Sequence, residues 1–188
     1  PILDGDFSDW SEKASEYIVD SGKYLEGHTY FPNSWHGPKD LSAKLRFCND
    51  GKNLYLGIEV TDDKFARKES ATIWFSKDGY KNWEDETVVP DIRISFAVRE
   101  TQGSSNGIRY KTSIKDNRFI IECMVPIERV CEGKNSTGFL FSYNDMDDAP
   151  SIDKRKSWAK KQVLHFPHNP KWALWRDARN CGEIIIEK

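Results

Sequence analysis

The amino-acid sequence predicts an all-β fold, an antiparallel β-sandwich of jelly-roll type with only short helical turns. Three observations carry that expectation. Short β-branched and aromatic runs recur between turn signals, the apolar period within them is two, and helix signals are brief. The runs are LSAKLRFC (41–48), NLYLGIEV (53–60), SATIWFS (70–76), DIRISFAV (91–98), GIRYKTS (107–113), RFIIECMV (118–125), GFLFSY (138–143) and GEIIIE (182–187). Eight such segments suit a sandwich.

The first two runs are separated by Asn49-Asp50-Gly51-Lys52, a cluster suited to a tight hairpin. Ala43, Leu45 and Phe47 alternate with Lys44 and Arg46, as a half-buried strand requires. Two helical turns are expected, one in SEKASEYIV after Ser8-Asp9 and one opened by Pro126. Residues 21–40 and 144–181 read as long, aromatic-rich loops, the places where binding sites on a β scaffold usually reside. No repeat or Gly/Ser-rich linker divides the chain, so residues 1–188 read as one domain.

Composition excludes several classes of function. Lys plus Arg number 28 against 30 Asp plus Glu, and no basic block supplies the phosphate neutralisation on which nucleic-acid binding depends. No apolar run reaches the length of a membrane-spanning helix, so membrane insertion is not expected. Thirty carboxylates make close pairs inevitable, so no glycosidase couple is read from them, and neither G-x-S-x-G nor HExxH occurs. Cys48, Cys123, Cys131 and Cys181 form no CxxC pair, which leaves bridges and buried free thiols both open. Seven Trp, seven Tyr and ten Phe exceed the needs of a sandwich core, so some rings should be surface platforms.

Five motifs occur in order along the chain: ILDGDFSDW, LSAKLRFCNDGKNLYLGIEVTDD, IIECMVPIE, GFLFSYNDMDD and WRDARNCGEIII. Together they resemble the family 9 carbohydrate-binding modules. The resemblance implies a non-catalytic β-sandwich, an accessory module of a glycoside hydrolase, that binds mono- or oligosaccharides or polysaccharide chain ends and carries structural calcium. It implies secretion or a cell-surface location, and the opening at Pro1 reads as a module fused to, or processed from, a larger protein.

In that family a sugar lies between two Trp rings. The later ring corresponds to Trp175, followed by Arg176 and Asp177, and polar contacts correspond to Arg93 and Arg155. The loop after Val60-Thr-Asp-Asp offers no Trp for the earlier ring, which leaves Phe65, Trp35 and Trp83 as candidates for it. An acidic contact of the family falls at Thr72, a departure that bears on which sugar is bound.

The residues themselves fit this chemistry. A pyranose has a face of C–H groups and a rim of hydroxyls, which a flat aromatic and planar hydrogen-bonding groups satisfy. The plainer reading makes Trp175 a core ring and the two Arg solvated ion-pair partners. Asp62, Asp63, Asp145 and Asp147 cluster at strand ends, where oxygen ligands suit calcium and where Asp also serves simply as a turn former. Two other functions stay open: a non-binding spacer or docking domain of a larger surface protein, and a haem-binding redox domain of DOMON type using Met124 or Met146 with His.

Overall fold

The computed structural model describes residues 1–10, 12, 14–21, 25–26, 35–65, 69–77, 92–98, 102–105, 107–146, 161–166 and 182–187. In chain order the elements are β1 (Ser15–Val19), β2 (Leu25–Glu26), β3 (Leu41–Asn49), β4 (Asn53–Asp62), β5 (Ser70–Ser76), β6 (Ile92–Ala97), β7 (Gln102–Ser105), β8 (Ile108–Lys115), β9 (Arg118–Pro126), α1 (Ile127–Cys131), β10 (Ser136–Met146), β11 (Lys161–Phe166) and β12 (Gly182–Ile185). The first sheet runs β1-β3-β4-β9-β8-β7 and the second β2-β11-β10-β5-β6, with β12 pairing with β10; every pairing is antiparallel. The sandwich expectation holds.

The β3–β4 hairpin forms at Asn49–Asn53 because Asp50 organises it. Its carboxylate accepts from the backbone N–H of Lys52 (2.9 Å) and Asn53 (2.6 Å) and from the Tyr55 hydroxyl (2.9 Å), while Gly51 takes φ 82°. These donors hold Asp50 well below the usual carboxylate range. The β8–β9 hairpin turns on Asp116 (φ 50°) and Asn117 (φ 59°), two left-handed residues in the two-residue loop that matches strand twist.

Alternation sorts the side chains. Leu45, Phe47, Ile58, Ile121, Phe75 and Phe141 meet between the sheets in one apolar cluster. Strand β9 is buried on both faces. Phe119, Ile121, Cys123 and Val125 point inward, whereas Ile120, Glu122 and Met124 are buried on the outer face of the first sheet.

The opening segment lies over this outer face. Glu122 accepts from the backbone N–H of Asp4 (2.8 Å) and Gly5 (2.5 Å) and from Trp10 Nε1 (2.8 Å). Gly57, opposite Glu122 in the β4–β9 register, leaves room for Phe7 and Trp10; a Cβ there would come within 2.9 Å of the Phe7 ring.

Three expectations are corrected. Residues 15–19 form strand β1 rather than a helical turn, because Glu16 and Tyr17 pair with Arg46 and Leu45 on β3 and tertiary pairing overrides a weak local helix signal. The stretch 144–181 is not loop throughout: β10 continues to Met146, and 161–166 pairs with it as β11. Likewise residues 25–26 within 21–40 form β2 against β11. The turn expected at Pro126 is α1, with Pro126 at its N-cap position.

Candidate functional site

Strands β5, β6 and β10 present alternating residues to the outer face of the second sheet. On β5, Ala71, Ile73 and Phe75 enter the core, so Thr72 and Trp74 point the other way. Register then places Ser95 beside Thr72 and Arg93 beside Trp74 on β6, with Ser142 beside Thr72 on β10.

Thr72 Oγ1 and Ser95 Oγ share a hydrogen bond of 3.2 Å, and the Arg93 guanidinium lies 5.8 Å from the centroid of the Trp74 ring. Arg93 is exposed, while Trp74, Thr72 and Ser142 are buried beneath this face. A cation held over an indole is oriented at a gain of about 0.5 to 1 kcal/mol. The face therefore offers a positioned guanidinium with five N–H donors beside small hydroxyls, a set that can donate to oxygen acceptors such as sugar hydroxyls.

A second cluster lies where β4, the residue before β5, and β10 converge. One carboxylate oxygen from each of Asp62, Glu69 and Asp145 lies within 4.8 Å of the others, and all three residues are buried. The Tyr143 hydroxyl donates to Glu69 Oε2 at 2.9 Å and to Asp62 Oδ2 at 3.3 Å. Burial, followed by the neighbouring Glu69 and Asp62 charges, pushes the Tyr143 hydroxyl far above its ordinary value, so it stays protonated as a donor.

Three carboxylates gathered out of water repel one another, and a hard cation compensates that arrangement better than any apolar neighbour. Among the described residues the donor set is all oxygen, the ligand type that hard cations such as calcium take. Asp62 belongs to the first sheet, whereas Tyr143 and Asp145 belong to the second, so the cluster joins the two layers.

The structure distributes the sequence candidates as follows. Arg93 stands on the outer face of the second sheet. Asp62 and Asp145 meet in the acidic cluster, joined by Glu69, while exposed Asp63 stands outside it with its backbone N–H on the Asp40 carbonyl at 3.2 Å. Trp35 and Phe65 pack against the core. The Trp35 indole N–H is held by the Leu41 carbonyl at 2.9 Å, and the Phe65 ring meets Phe119 at 6.4 Å between centroids. Both rings are half-buried where they make these contacts. Trp175, Arg155, Trp83 and Asp147 lie outside the described residues.

Sequence reasoning missed Glu69, Tyr143 and Trp74. Glu69 lies 76 positions from Asp145 in the chain and carries no turn signal of its own. Tyr143 and Trp74 read as ordinary strand aromatics, and only the register reveals their polar neighbours. Met124, the haem-ligand candidate, faces outward on β9 with its sulfur 3.3 Å from Arg109 Nη2.

The model of the carbohydrate family 9 binding domain-like family matches residues 20–188. Endo-1,4-beta-xylanase A of Thermoanaerobacterium saccharolyticum is 29% identical over 141 residues, 74% of this chain and 12% of that protein. Exoglucanase XynX of Acetivibrio thermocellus is 28% identical over 141 residues, 74% of this chain and 13% of its own length. The chain thus spans a small part of these relatives.

Two solved structures of a family 9 carbohydrate-binding module from Caldicellulosiruptor kristjanssonii share the fold across 100% of this chain. The one in complex with cellotriose has a TM-score of 0.65 at 16% identity over 89% of that module, and the one with glucose 0.66 at 15% over 91%. Sequence match and fold agree, and the chain belongs to the carbohydrate family 9 binding domain-like family, a family of non-catalytic binding modules.

Proposed function

We propose that this chain binds a neutral saccharide on the outer face of the second sheet, as a module working beside a glycan-degrading enzyme. The observation that carries this reading is Arg93, exposed and set over Trp74 next to the Thr72–Ser95 hydroxyl pair. Arg93 donates to sugar hydroxyls, and Trp175 supplies the stacking ring that the family resemblance implies, with Arg155 as a second donor.

With Thr72 where the family places an acid, the strand offers a neutral hydroxyl instead of a charged acceptor. Specificity accordingly rests on donors more than on a carboxylate. Family membership and the saccharides bound by the structural neighbours support a β-linked glucan or xylan fragment, taken up outside the cell.

Calcium belongs to the same reading. Asp62, Glu69 and Asp145 would hold the ion, with Tyr143 orienting the carboxylates, and it would offset their mutual repulsion where the two sheets meet.

Titration calorimetry with cellotriose tests the saccharide site. Arg93→Ala should weaken binding by about 1.5 to 3 kcal/mol, and Trp175→Ala should abolish it while the melting temperature stays near that of the wild type. Unchanged affinity in both variants would remove this face as the site.

A further inference from the structure

Ser76, the last residue of β5, is buried at 1% exposure, and its hydroxyl finds no hydrogen-bond partner within the chain. Among the described residues no other buried side-chain nitrogen or oxygen stands so. Buried polar groups in folded proteins are paired in the great majority of cases, so this exception needs a cause.

Register supplies the local part of it. Ala71, Ile73 and Phe75 enter the core, so alternation turns Ser76 to the outer face of the second sheet with Thr72 and Trp74. One side-chain step along that face, about 7 Å, separates Ser76 from Trp74. Thr72 has a partner in Ser95 across β6. Ser76 has no such neighbour, because the β5–β6 pairing ends at Phe75 opposite Ile92, and the β10 residue in register with Ser76 is Gly138, which carries no side chain. A glycine inside a strand is often found where a ligand or another backbone comes close. The Ser76 carbonyl accepts from Thr137 Oγ1 at 3.1 Å, so only the hydroxyl is left unpaired.

We propose that the Ser76 hydroxyl is a specificity-determining contact of the saccharide site, unpaired in the free chain and hydrogen-bonded when a sugar is bound. The inference rests on the reading of this face given above and adds a residue to it. Arg93 over Trp74 marks the centre of the site, with the Thr72–Ser95 pair to one side and Ser76 to the other. Thr72 and Ser95 already bond each other, whereas Ser76 keeps both a donor and an acceptor for a ligand that offers both, as a neutral sugar hydroxyl does. Because Ser76 is buried before the sugar arrives, the contact includes a local opening at this end of β5. A desolvated hydroxyl of this kind rejects an analogue that lacks the matching group.

The proposal gives stability and binding opposite signs. An unpaired buried hydroxyl lowers the stability of the free chain, and a bound sugar relieves that penalty. Removing the hydroxyl should therefore stabilise the free protein and weaken the complex, the trade expected of a group kept for function. A hydroxyl with a purely structural role would not weaken the complex.

The test is titration calorimetry with cellotriose, together with thermal unfolding, on the full chain as wild type, Ser76→Ala and Arg93→Ala. Ser76→Ala removes one oxygen and adds no bulk. It should weaken cellotriose binding about three- to tenfold and raise the melting temperature of the free protein by about 2 to 4 °C. The proposal is overturned if Ser76→Ala binds cellotriose as the wild type does. It is also overturned if that variant melts lower, which would mean that the hydroxyl is already bonded in the free chain. Where Arg93→Ala weakens binding and Ser76→Ala does not, this contact fails while the saccharide reading stands. Where the wild type takes up no cellotriose, the saccharide reading fails and this contact falls with it.

Discussion

Glu122 Oε1 accepts the indole N–H of Trp10 at 2.8 Å, joining residues 112 positions apart. With the amides of Asp4 and Gly5 on the other oxygen, the carboxylate ties the opening segment to the outer face of the first sheet. The first and third of the five sequence motifs are thus halves of one structural unit.

Trp10→Ala should lower stability by about 3 to 5 kcal/mol, the range for truncating a buried aromatic, and leave a buried acceptor short of one donor. Gly57→Ala should cost about 1 to 3 kcal/mol, because the added methyl forces the Phe7 ring aside. Chemical denaturation of both variants measures these losses. A change under about 0.5 kcal/mol in each would mean that the segment is not packed there.

The same carboxylate gives a pH dependence with a definite sign. Burial pushes Glu122 up from the ordinary glutamate value, and the N–H donors from Trp10, Gly5 and Asp4 pull it back only in part. The folded chain therefore holds this proton more tightly than the unfolded one. Its contribution to stability is full below the ordinary glutamate range and is lost as pH rises through the folded value. Glu122→Gln removes the titrating group, so its stability relative to the wild type should increase from about pH 4 to about pH 7. A relative gain by the wild type over that interval would mean that the three donors outweigh burial.

Removing calcium with a chelator should lower the melting temperature, and restoring it at a hundredfold excess over its dissociation constant should return about 2.7 kcal/mol. Asp145→Asn or Glu69→Gln should abolish that calcium-dependent increment. Thermal scans across a calcium series, with magnesium as control, measure it. A melting temperature indifferent to calcium in the wild type would leave the cluster without an ion.

Cys48, Cys123 and Cys131 are free thiols in the structure. Cys123 and Cys131 are buried, and burial pushes both thiols upward, most strongly Cys123; Cys48 is half-buried. A thiol reagent should modify Cys48 in the native protein and the other two only after unfolding. Native-state reaction at Cys123 would indicate that the core between the sheets opens locally.

By itself the sequence determined the sandwich, most of its strands and the β3–β4 hairpin. A period of two and an Asp50-Gly51 turn are local signals that need no partner to be read. It also marked Asp62 and Asp145, since an acid at a strand end is visible in one dimension.

What only the tertiary structure decided is which distant residues share a neighbourhood. Strand β1 exists because β3 pairs with it, Glu69 joins Asp62 and Asp145 because β5 starts where β4 and β10 end, and Glu122 is buried because Phe7 and Trp10 close over it. Each of these depends on contacts between chain segments far apart in sequence. Their free energy comes from burial and register, and neither quantity is encoded in the local pattern of residues.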